Sequence, residues 1–243
     1  MQDCEQYISP DGKSTIYMRK GKFIAKCIKI DNKEEWYNAD GKLHRDDDLP
    51  AVIWYENGQK TSEYWYRNGK YHRDGDLPAI IWYENGHKIR EFWYRDGERH
   101  RDGDLPAVAE YDKKGQKTSE HWYRVGKLHR DGDLPAVIWY KNGQKTSEEW
   151  YRDGKNHRDG DLPAMINYLN GQKAIEQWYS NGKRHRDGQP AIIWYENGQK
   201  TRECWYRDGR ECIPEKPKVD PIAEQLAIIE AALAKIREEI AKK

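Results

Sequence analysis

The apolar residues of this chain fall into short runs rather than long helical stripes, and each run ends at a turn signal. Residues 65–69 read Trp-Tyr-Arg-Asn-Gly, and residues 82–86 read Trp-Tyr-Glu-Asn-Gly. An Asn-Gly or Asp-Gly pair beside aromatic and β-branched residues favours a type I′ hairpin turn, because both central residues need a positive φ angle. The pattern therefore predicts two strands in each unit, for example at about 78–84 and 88–95.

The hairpin pattern belongs to a longer tandem repeat. A Trp-Tyr pair, a turn and a His-Arg-Asp triplet recur together every 27 to 29 residues. The Trp-Tyr pairs begin at Trp36, Trp65, Trp93, Trp122, Trp150 and Trp178, with a truncated seventh unit at Trp205. Length changes occur within residues 38–41, 112–115 and 187–190, which carry turn residues. Because loops tolerate insertions and paired strands do not, each unit is predicted to be one structural repeat.

Aromatic and β-branched residues suit a pleated, half-buried surface, so consecutive hairpins should pair side by side. The prediction is an all-β fold: an elongated, single-layer antiparallel β-meander of tandem hairpin repeats of about 28 residues, followed by a C-terminal α-helix. Identical residues would then recur roughly every 10 Å, and the six units would extend for roughly 60 Å. Trp65 is expected near Trp36 and Trp93, in a stack whose rings supply much of the cohesion.

Departures from the repeat set the predicted domain boundaries. Residues 1–35 carry degenerate half-units that are expected to close the N-terminal end, and residues 36–211 form the repeat domain. Residues 212–219 are a Pro-rich linker. Residues 220–243 are predicted to form an amphipathic helix, which begins at an Asp-Pro pair suited to a helix N-terminus.

In this helix the apolar residues alternate at spacings of four and three, which is typical of a coiled coil. They are Ile222, Leu226, Ile229, Leu233, Ile236 and Ile240. Such a seam predicts association between chains into a homo-oligomer. The alternative is that the helix folds back and covers an open end of the sheet.

Composition and charge narrow the class of protein further. Only 36% of the residues are hydrophobic while 35% are charged, so the chain cannot bury a thick aliphatic core and must rely on thin, local packing. A net charge of +1 supplies no global field for nucleic acid or an anionic membrane. The four cysteines form no CxxC pair, and neither a signal peptide nor a membrane-spanning run is recognisable, so the sequence favours a soluble, cytoplasmic protein.

The His-Arg-Asp triplet occurs in six units and is predicted to be structural rather than catalytic. A single copy would resemble the catalytic loop of protein kinases, but the other kinase motifs are missing. An active site is needed once, whereas a structural element is needed in every unit. The residues Asp-Gly-Asp-Leu-Pro-Ala that follow are expected to form a loop in which His and Asp satisfy backbone groups and Arg pairs with a neighbouring Asp. The sequence thus predicts no enzyme, no catalytic residue, no metal site and no cofactor.

Three ligand-binding alternatives remain open for the repeated residues. Two aspartates per unit, such as Asp74 and Asp76, suggest calcium, although two carboxylates beside an arginine are few for that ion. The Trp ladder could bind carbohydrate or choline-like cations. The arginines could read phosphates or hold a nucleotide between protomers. Candidate binding residues for such an anion are Arg45, Arg73, Arg101, Arg130, Arg158, Arg186, His72, His100, His129 and His157.

The runs Trp-Tyr-Glu-Asn-Gly-Gln-Lys and Trp-Tyr-Arg-Asn-Gly-Lys resemble the MORN family, in particular its variant repeats, over about residues 36–211. The resemblance implies a long antiparallel ribbon of hairpins and a role as a scaffold or partner-binding module. Similar His-Arg-containing repeats are familiar from phage and giant-virus proteins, which implies a viral origin and the host cytoplasm as location. The longer unit and the inserted His-Arg-Asp-Gly-Asp-Leu-Pro-Ala segment depart from the common MORN pattern.

The predicted function is therefore a non-enzymatic repeat scaffold that presents a repeated β-surface to a protein partner, without membrane insertion, and that is multimerised by its C-terminal helix. The alternative is a viral counter-defence or ligand-sequestering protein that binds a nucleotide or another anion through its arginines and tryptophans.

Overall fold

The computed structural model describes residues 4–212 and, in the C-terminal segment, residues 225–226, 229–234 and 237. Residues 4–212 form 27 strands joined by tight turns and loops. The strands are β1 Glu5–Ile8, β2 Ser14–Arg19, β3 Lys22–Ile30, β4 Lys33–Asn38, β5 Val52–Glu56, β6 Gln59–Tyr64, β7 Tyr66–Arg67, β8 Lys70–Tyr71, β9 Ile80–Glu84, β10 His87–Phe92, β11 Tyr94–Arg95, β12 Glu98–Arg99, β13 Val108–Tyr111, β14 Lys117–His121, β15 Tyr123–Arg124, β16 Lys127–Leu128, β17 Val137–Lys141, β18 Gln144–Glu149, β19 Tyr151–Arg152, β20 Lys155–Asn156, β21 Met165–Leu169, β22 Gln172–Gln177, β23 Tyr179–Ser180, β24 Lys183–Arg184, β25 Ile192–Glu196, β26 Gln199–Arg207 and β27 Arg210–Cys212.

The predicted antiparallel meander is confirmed. Each long strand pairs with the long strand before it and the one after it, within one 17-stranded sheet. The order across the sheet is β1, β2, β3, β4, β5, β6, β9, β10, β13, β14, β17, β18, β21, β22, β25, β26 and then β27. The segment before the first His-Arg-Asp triplet thus supplies the first four strands of the same sheet.

The Asn-Gly turns have the backbone that the sequence predicts. At the tip of the β9–β10 hairpin, Asn85 has a φ of 51° and Gly86 a φ of 79°. Both values lie in the left-handed region that type I′ turns require. The register shifts between Lys88 and Arg90, so the hairpin contains an irregularity just after its turn.

The predicted second strand of each unit is longer than the observed one, because the chain leaves the sheet at the tryptophan. In the unit predicted to run through residues 88–95, β10 ends at Phe92. The Trp93 amide still donates to the Ala107 carbonyl of the next strand, but the Trp93 carbonyl accepts from His100. The chain then makes a separate two-residue hairpin. These side hairpins are β7–β8, β11–β12, β15–β16, β19–β20 and β23–β24.

The hydrophobic core is a series of small clusters: six contain one repeated tryptophan each, and a seventh joins Ile80, Phe92 and Val108. Trp122, for example, is buried against Ala136 and Ile138, and Tyr140 and Tyr151 pack around this group. Five further clusters of buried residues contain the corresponding tryptophans Trp36, Trp65, Trp93, Trp150 and Trp178. The packing is therefore thin and local, as the composition predicts.

The expected stack of tryptophan rings is not formed. The repeated tryptophans lie in separate clusters, and no ring pair among the described residues joins two of them. The physical reason is that a cation occupies the ring face: Arg101 lies 4.0 Å from the centre of the Trp93 ring. Each of the six repeated tryptophans has such an arginine on its ring.

In the C-terminal segment the described residues are helical. Leu226, Ile229 and Leu233 of the predicted seam leave 53%, 54% and 48% of their surface exposed, so the sheet of the same chain does not bury them. The other seam residues, Ile222, Ile236 and Ile240, lie outside the described residues, as does the linker beyond Cys212. Where the structure describes the chain, it contains no helix with the length and hydrophobicity needed to cross a membrane.

Candidate functional site

The repeated arginine of each loop makes three kinds of contact. The Arg130 guanidinium lies 3.8 Å from the centre of the Trp122 ring. Its Nε and Nη2 donate to the two carboxylate oxygens of Asp104 at 2.8 and 2.9 Å, and its Nη1 donates to the Pro135 carbonyl at 3.2 Å. A planar guanidinium suits this combination of ring stacking and a two-pronged carboxylate bond.

The aspartate comes from the preceding repeat, so each arginine joins two units. The ring nitrogen of Trp122 donates to the backbone carbonyl of the same Asp104 at 3.0 Å. We call a tryptophan, its arginine and the preceding aspartate a staple. Complete staples are Trp65–Arg73–Asp48, Trp93–Arg101–Asp76, Trp122–Arg130–Asp104, Trp150–Arg158–Asp133 and Trp178–Arg186–Asp161.

The repeated histidine links a loop to the next side hairpin. The Nε2 atom of His129 lies 3.0 Å from Asp131 Oδ1, and its Nδ1 accepts the backbone N–H of Asp153 at 3.2 Å. This pair of partners calls for a proton on Nε2 and a bare Nδ1. The same link joins Asn68 to His44, Asp96 to His72, Asn181 to His157 and Asp208 to His185.

One histidine departs from the pattern. The buried Nδ1 of His100 has no hydrogen-bond partner. The turn that faces it contains Val125 where the other units have Asn or Asp, and Val125 has a φ of 48°. A β-branched residue is strained in this left-handed region. The hydrogen bond that links histidine to the next side hairpin in the other units is therefore missing between the third and fourth units.

The series of staples stops at both ends of the ribbon. Arg45 has no preceding unit, and its Nη1 bonds Glu34 at 3.2 Å while its Nε is buried without a partner. In the last unit the loop is one residue shorter and reads Asp-Gly-Gln-Pro at 187–190. No His-Arg-Asp triplet follows that loop, so no further arginine needs an acceptor.

The structure gives the predicted binding arginines an intramolecular role. The side chains of the five arginines in complete staples are only 11–17% exposed, and Arg45 is 16% exposed. Hydrogen bonds from Arg101, Arg158 and Arg186 hold the pKa values of Asp76, Asp133 and Asp161 below the ordinary range. A phosphate would have to displace these carboxylates before it could reach the arginines.

The two aspartates considered for calcium serve different partners. Asp74 accepts from His72 Nε2 at 3.0 Å and from Arg67, whereas Asp76 accepts from Arg101 of the next unit. Within the described ranges, no group of three or more His, Cys, Asp or Glu residues is arranged to hold a metal ion. The carboxylates are thus used in binding histidine and arginine.

Clefts open between the His-Arg-Asp loops of successive units. The cleft between the first and second loops has a volume of about 490 Å³ and includes Trp65 and Leu77 in its wall. A cleft of about 360 Å³ between the fourth and fifth loops is lined by Leu134, Trp150 and Leu162. The corresponding space between the second and third loops is about 110 Å³. Each cleft mixes charged side chains with exposed leucine.

On the sheet face that carries the staple tryptophans, a second set of contacts repeats. Glu120 accepts from the Tyr140 hydroxyl at 2.8 Å and forms an ion pair with Lys117. Burial, followed by this hydrogen bond, raises the pKa of the Tyr140 phenol. The same trio recurs as Lys60–Glu63–Tyr83, Lys88–Glu91–Tyr111, Lys145–Glu148–Tyr168 and Lys173–Glu176–Tyr195.

The opposite sheet face carries a row of residues that differs between units. These residues occupy matched positions on neighbouring strands, and we call them the cross-strand row. In order across the sheet they are Trp54, Ser62, Trp82, Arg90, Glu110, Ser119, Trp139, Ser147, Asn167, Ile175, Trp194 and Arg202. Twelve strands at about 4.8 Å spacing give the row a length of roughly 53 Å.

The cross-strand row was not predicted from the repeat, because the repeat is recognised by residues that are identical between units and the row residues differ. Trp54 and Trp139 are exposed at 37% and 39%, whereas Trp82 and Trp194 are half-buried. Arg90 lies 5.4 Å from the Trp82 ring centre and 3.1 Å from Glu110. A position-by-position comparison of the units, with attention to where they differ, would have identified this row.

No protein-family model matches the chain, and no curated protein matches it. The long sheet of hairpins that the resemblance to MORN repeats implied is present in the structure. The role that the resemblance implied stays a prediction.

Proposed function

We propose that this protein is a non-enzymatic binding scaffold that presents the cross-strand row to a protein partner and associates with further copies through its C-terminal helix. The observation that carries the proposal is that identical and variable residues of the repeats lie in different places and make different contacts. The residues that are identical from unit to unit bind one another in staples. The residues that vary lie on the opposite sheet face, where Trp54, Arg90 and Trp139 are exposed.

The composition of the cross-strand row supports recognition of a protein. Exposed Trp54 and Trp139 supply large aromatic surfaces, and Arg90 and Arg202 supply planar cations. Tryptophan and arginine are enriched among the residues that contribute most to binding at protein interfaces.

The repeated geometry speaks against catalysis. His129 and Asp131 are arranged like His72 and Asp74, and the same contact recurs along the ribbon. Reaction chemistry needs a nucleophile or acid–base pair whose environment differs from that of its copies. The repeated histidines, arginines and aspartates instead satisfy backbone groups and one another.

Comparative capture tests the partner-binding part of the proposal. Full-length wild-type protein, the double variant Trp54→Ser/Trp139→Ser and the variant Leu169→Asn would be immobilised and exposed to extracts of the source cells. Leu169 is 67% exposed and lies next to the Asn170–Gly171 turn, outside the cross-strand row. Its variant is therefore a control for loss of surface hydrophobicity. We expect the immobilised wild-type protein and the Leu169→Asn variant to capture the same partner protein, and we expect the double variant not to capture it. Equal capture by all three would contradict the proposal.

The alternative function, binding of a nucleotide or another anion in a counter-defence or ligand-sequestering role, is favoured by one observation. The cleft between the first and second loops is large enough for a small ligand and is bordered by Arg67, which is 42% exposed. Exposed carboxylates in the same wall, including Asp74, oppose an anion there. A thermal-shift screen against nucleotides tests it: stabilisation of the wild-type protein that is lost in Arg67→Ala would favour the alternative over the scaffold.

A further inference from the structure

One residue of the repeated loop has no structural role that the fold explains. In residues 72–79, His72, Arg73 and Asp74 are engaged in the contacts described above, and Asp76 accepts from the next arginine. Gly75 has a φ of 76°, which permits the tight turn. The Pro78 carbonyl accepts a hydrogen bond from Arg73 Nη1, and Ala79 is fully buried beneath Trp65. Leu77 is left, 42% exposed and outside the buried clusters of the described residues.

The same leucine is present in five successive loops, and we call these residues the leucine row. They are Leu49, Leu77, Leu105, Leu134 and Leu162, each 42–43% exposed. An isolated exposed leucine needs no explanation, but a leucine at the same position in five successive loops forms a regularly spaced row of apolar groups among charged side chains. The clefts between the loops lie directly beside these side chains, so an incoming apolar group could insert between neighbouring leucines.

The spacing of the leucine row matches the period of a heptad helix. One repeat contributes two strands to the long sheet, so successive leucines recur about every 9.6 Å. Seven residues of an α-helix advance about 10.5 Å. The difference of about 1 Å per step can be absorbed by side-chain rotation over three or four contacts.

The chain itself contains such a helix, and its apolar stripe is also uncovered. Leu226 and Leu233 are seven residues apart, Ile229 lies between them on the same side, and all three are about half exposed. In the sequence, Ile222, Ile236 and Ile240 continue this spacing. Because Leu226, Ile229, Leu233 and the leucine row are all exposed, these described parts of the chain do not cover one another.

We infer that the C-terminal helix of one copy docks along the leucine row of a second copy. The helix places its apolar residues between the loops, and the second copy returns the same contact, as two-fold symmetry allows. This inference rests on the proposed association through the helix and names the surface that receives it. It differs from a coiled coil, in which the helices would pack on one another.

Solution mass measurements on full-length variants test the inference. The loop variant carries Leu77→Asn, Leu105→Asn and Leu134→Asn, and the tail variant carries Leu226→Asn, Ile229→Asn and Leu233→Asn. All six side chains are exposed, so the variants should keep the wild-type circular dichroism spectrum. We expect dimeric wild-type protein and monomeric loop and tail variants, whereas Leu169→Asn should remain dimeric.

Mixing the two variants separates the inference from the coiled coil. The loop variant retains an intact tail and the tail variant retains intact loops, so an equimolar mixture should form a one-to-one complex through one tail-to-loop contact. With one contact instead of two, the complex should need a higher concentration than the wild-type dimer. A loop variant that stays oligomeric while the tail variant is monomeric, or a mixture that stays monomeric throughout, would overturn the inference and leave association through the helix in place. Monomeric wild-type protein would overturn both.

Discussion

The two faces of the fourth repeat use the same residue type for opposite purposes. Trp122 is buried in a staple, with Arg130 on its ring and its nitrogen bonded to Asp104. Trp139 lies in the cross-strand row, 39% exposed, with the edge of its ring against His121. Residues that recur from unit to unit hold the repeats together, as Trp122, Arg130 and Asp104 do. Residues that differ between units include the exposed side chains of the opposite face, such as Trp54 and Trp139.

The largest expected effect on the free energy of unfolding comes from removing the buried ring, and removal of the exposed ring is the comparison. Trp122→Ala deletes a buried indole together with its bond to Asp104, and large-to-small changes of this kind destabilise by about 3–5 kcal/mol. Trp139→Ala removes a partly exposed ring and should cost less than about 1 kcal/mol. Urea unfolding followed by tryptophan fluorescence and circular dichroism measures both. Similar losses in the two variants would contradict the division between staple and surface.

Arginine substitutions test whether the guanidinium carries the staple. Arg130→Ala should lower the free energy of unfolding by about 1.5–3 kcal/mol, because it leaves Asp104 and the Pro135 carbonyl without their charged donor. Arg130→Lys should recover little of this, since an ammonium group cannot stack and bond both oxygens at once.

Arg124→Ala is the matched control for that comparison. Arg124 also contacts an aspartate, Asp131, but is 48% exposed, whereas Arg130 is 14% exposed. An exposed ion pair contributes less than about 1 kcal/mol. Equal destabilisation by the two alanine variants would show that burial and ring stacking add nothing to the staple.

A smaller effect of opposite sign is expected at the irregular turn. Val125→Asn replaces a strained β-branched residue, which is 67% exposed, by a residue type that tolerates the left-handed conformation. The free energy of unfolding should rise by about 1 kcal/mol. The same change of turn residue in reverse, Asn68→Val, should lower it, and thermal unfolding of both variants checks the sign. Loss of stability in Val125→Asn would contradict the strain interpretation.

The smallest effect is a change in the acid dependence of stability. The pKa of Asp133 is lowered, chiefly by its hydrogen bond from Arg158. At low pH the unfolded chain therefore binds a proton that the folded chain does not. The stabilisation is complete above about pH 5 and is lost as the pH falls through the folded pKa. Asp133→Asn should be less stable at pH 7 and should show a shallower decline from pH 5 to pH 2 in urea titrations.

Local rules predicted the turns and the meander because they depend on residues close together in the chain. Asn85 and Gly86 adopt positive φ angles for reasons present in the dipeptide itself. The break at Trp93 was not predictable in this way. It depends on a hydrogen bond from His100 to the Trp93 carbonyl, seven residues later, which competes with continuation of the strand.

The sequence by itself determined the repeat, its hairpins and its thin core, because near-identical units must adopt near-identical conformations. Tertiary structure decided which aspartate each arginine binds. Arg130 has Asp131 as its neighbour in the chain, yet it binds Asp104, because stacking of the loops brings the preceding unit against its guanidinium. It also decided that Leu77 and its counterparts remain outside the packing, since only the assembled edge shows which side chains are left uncovered.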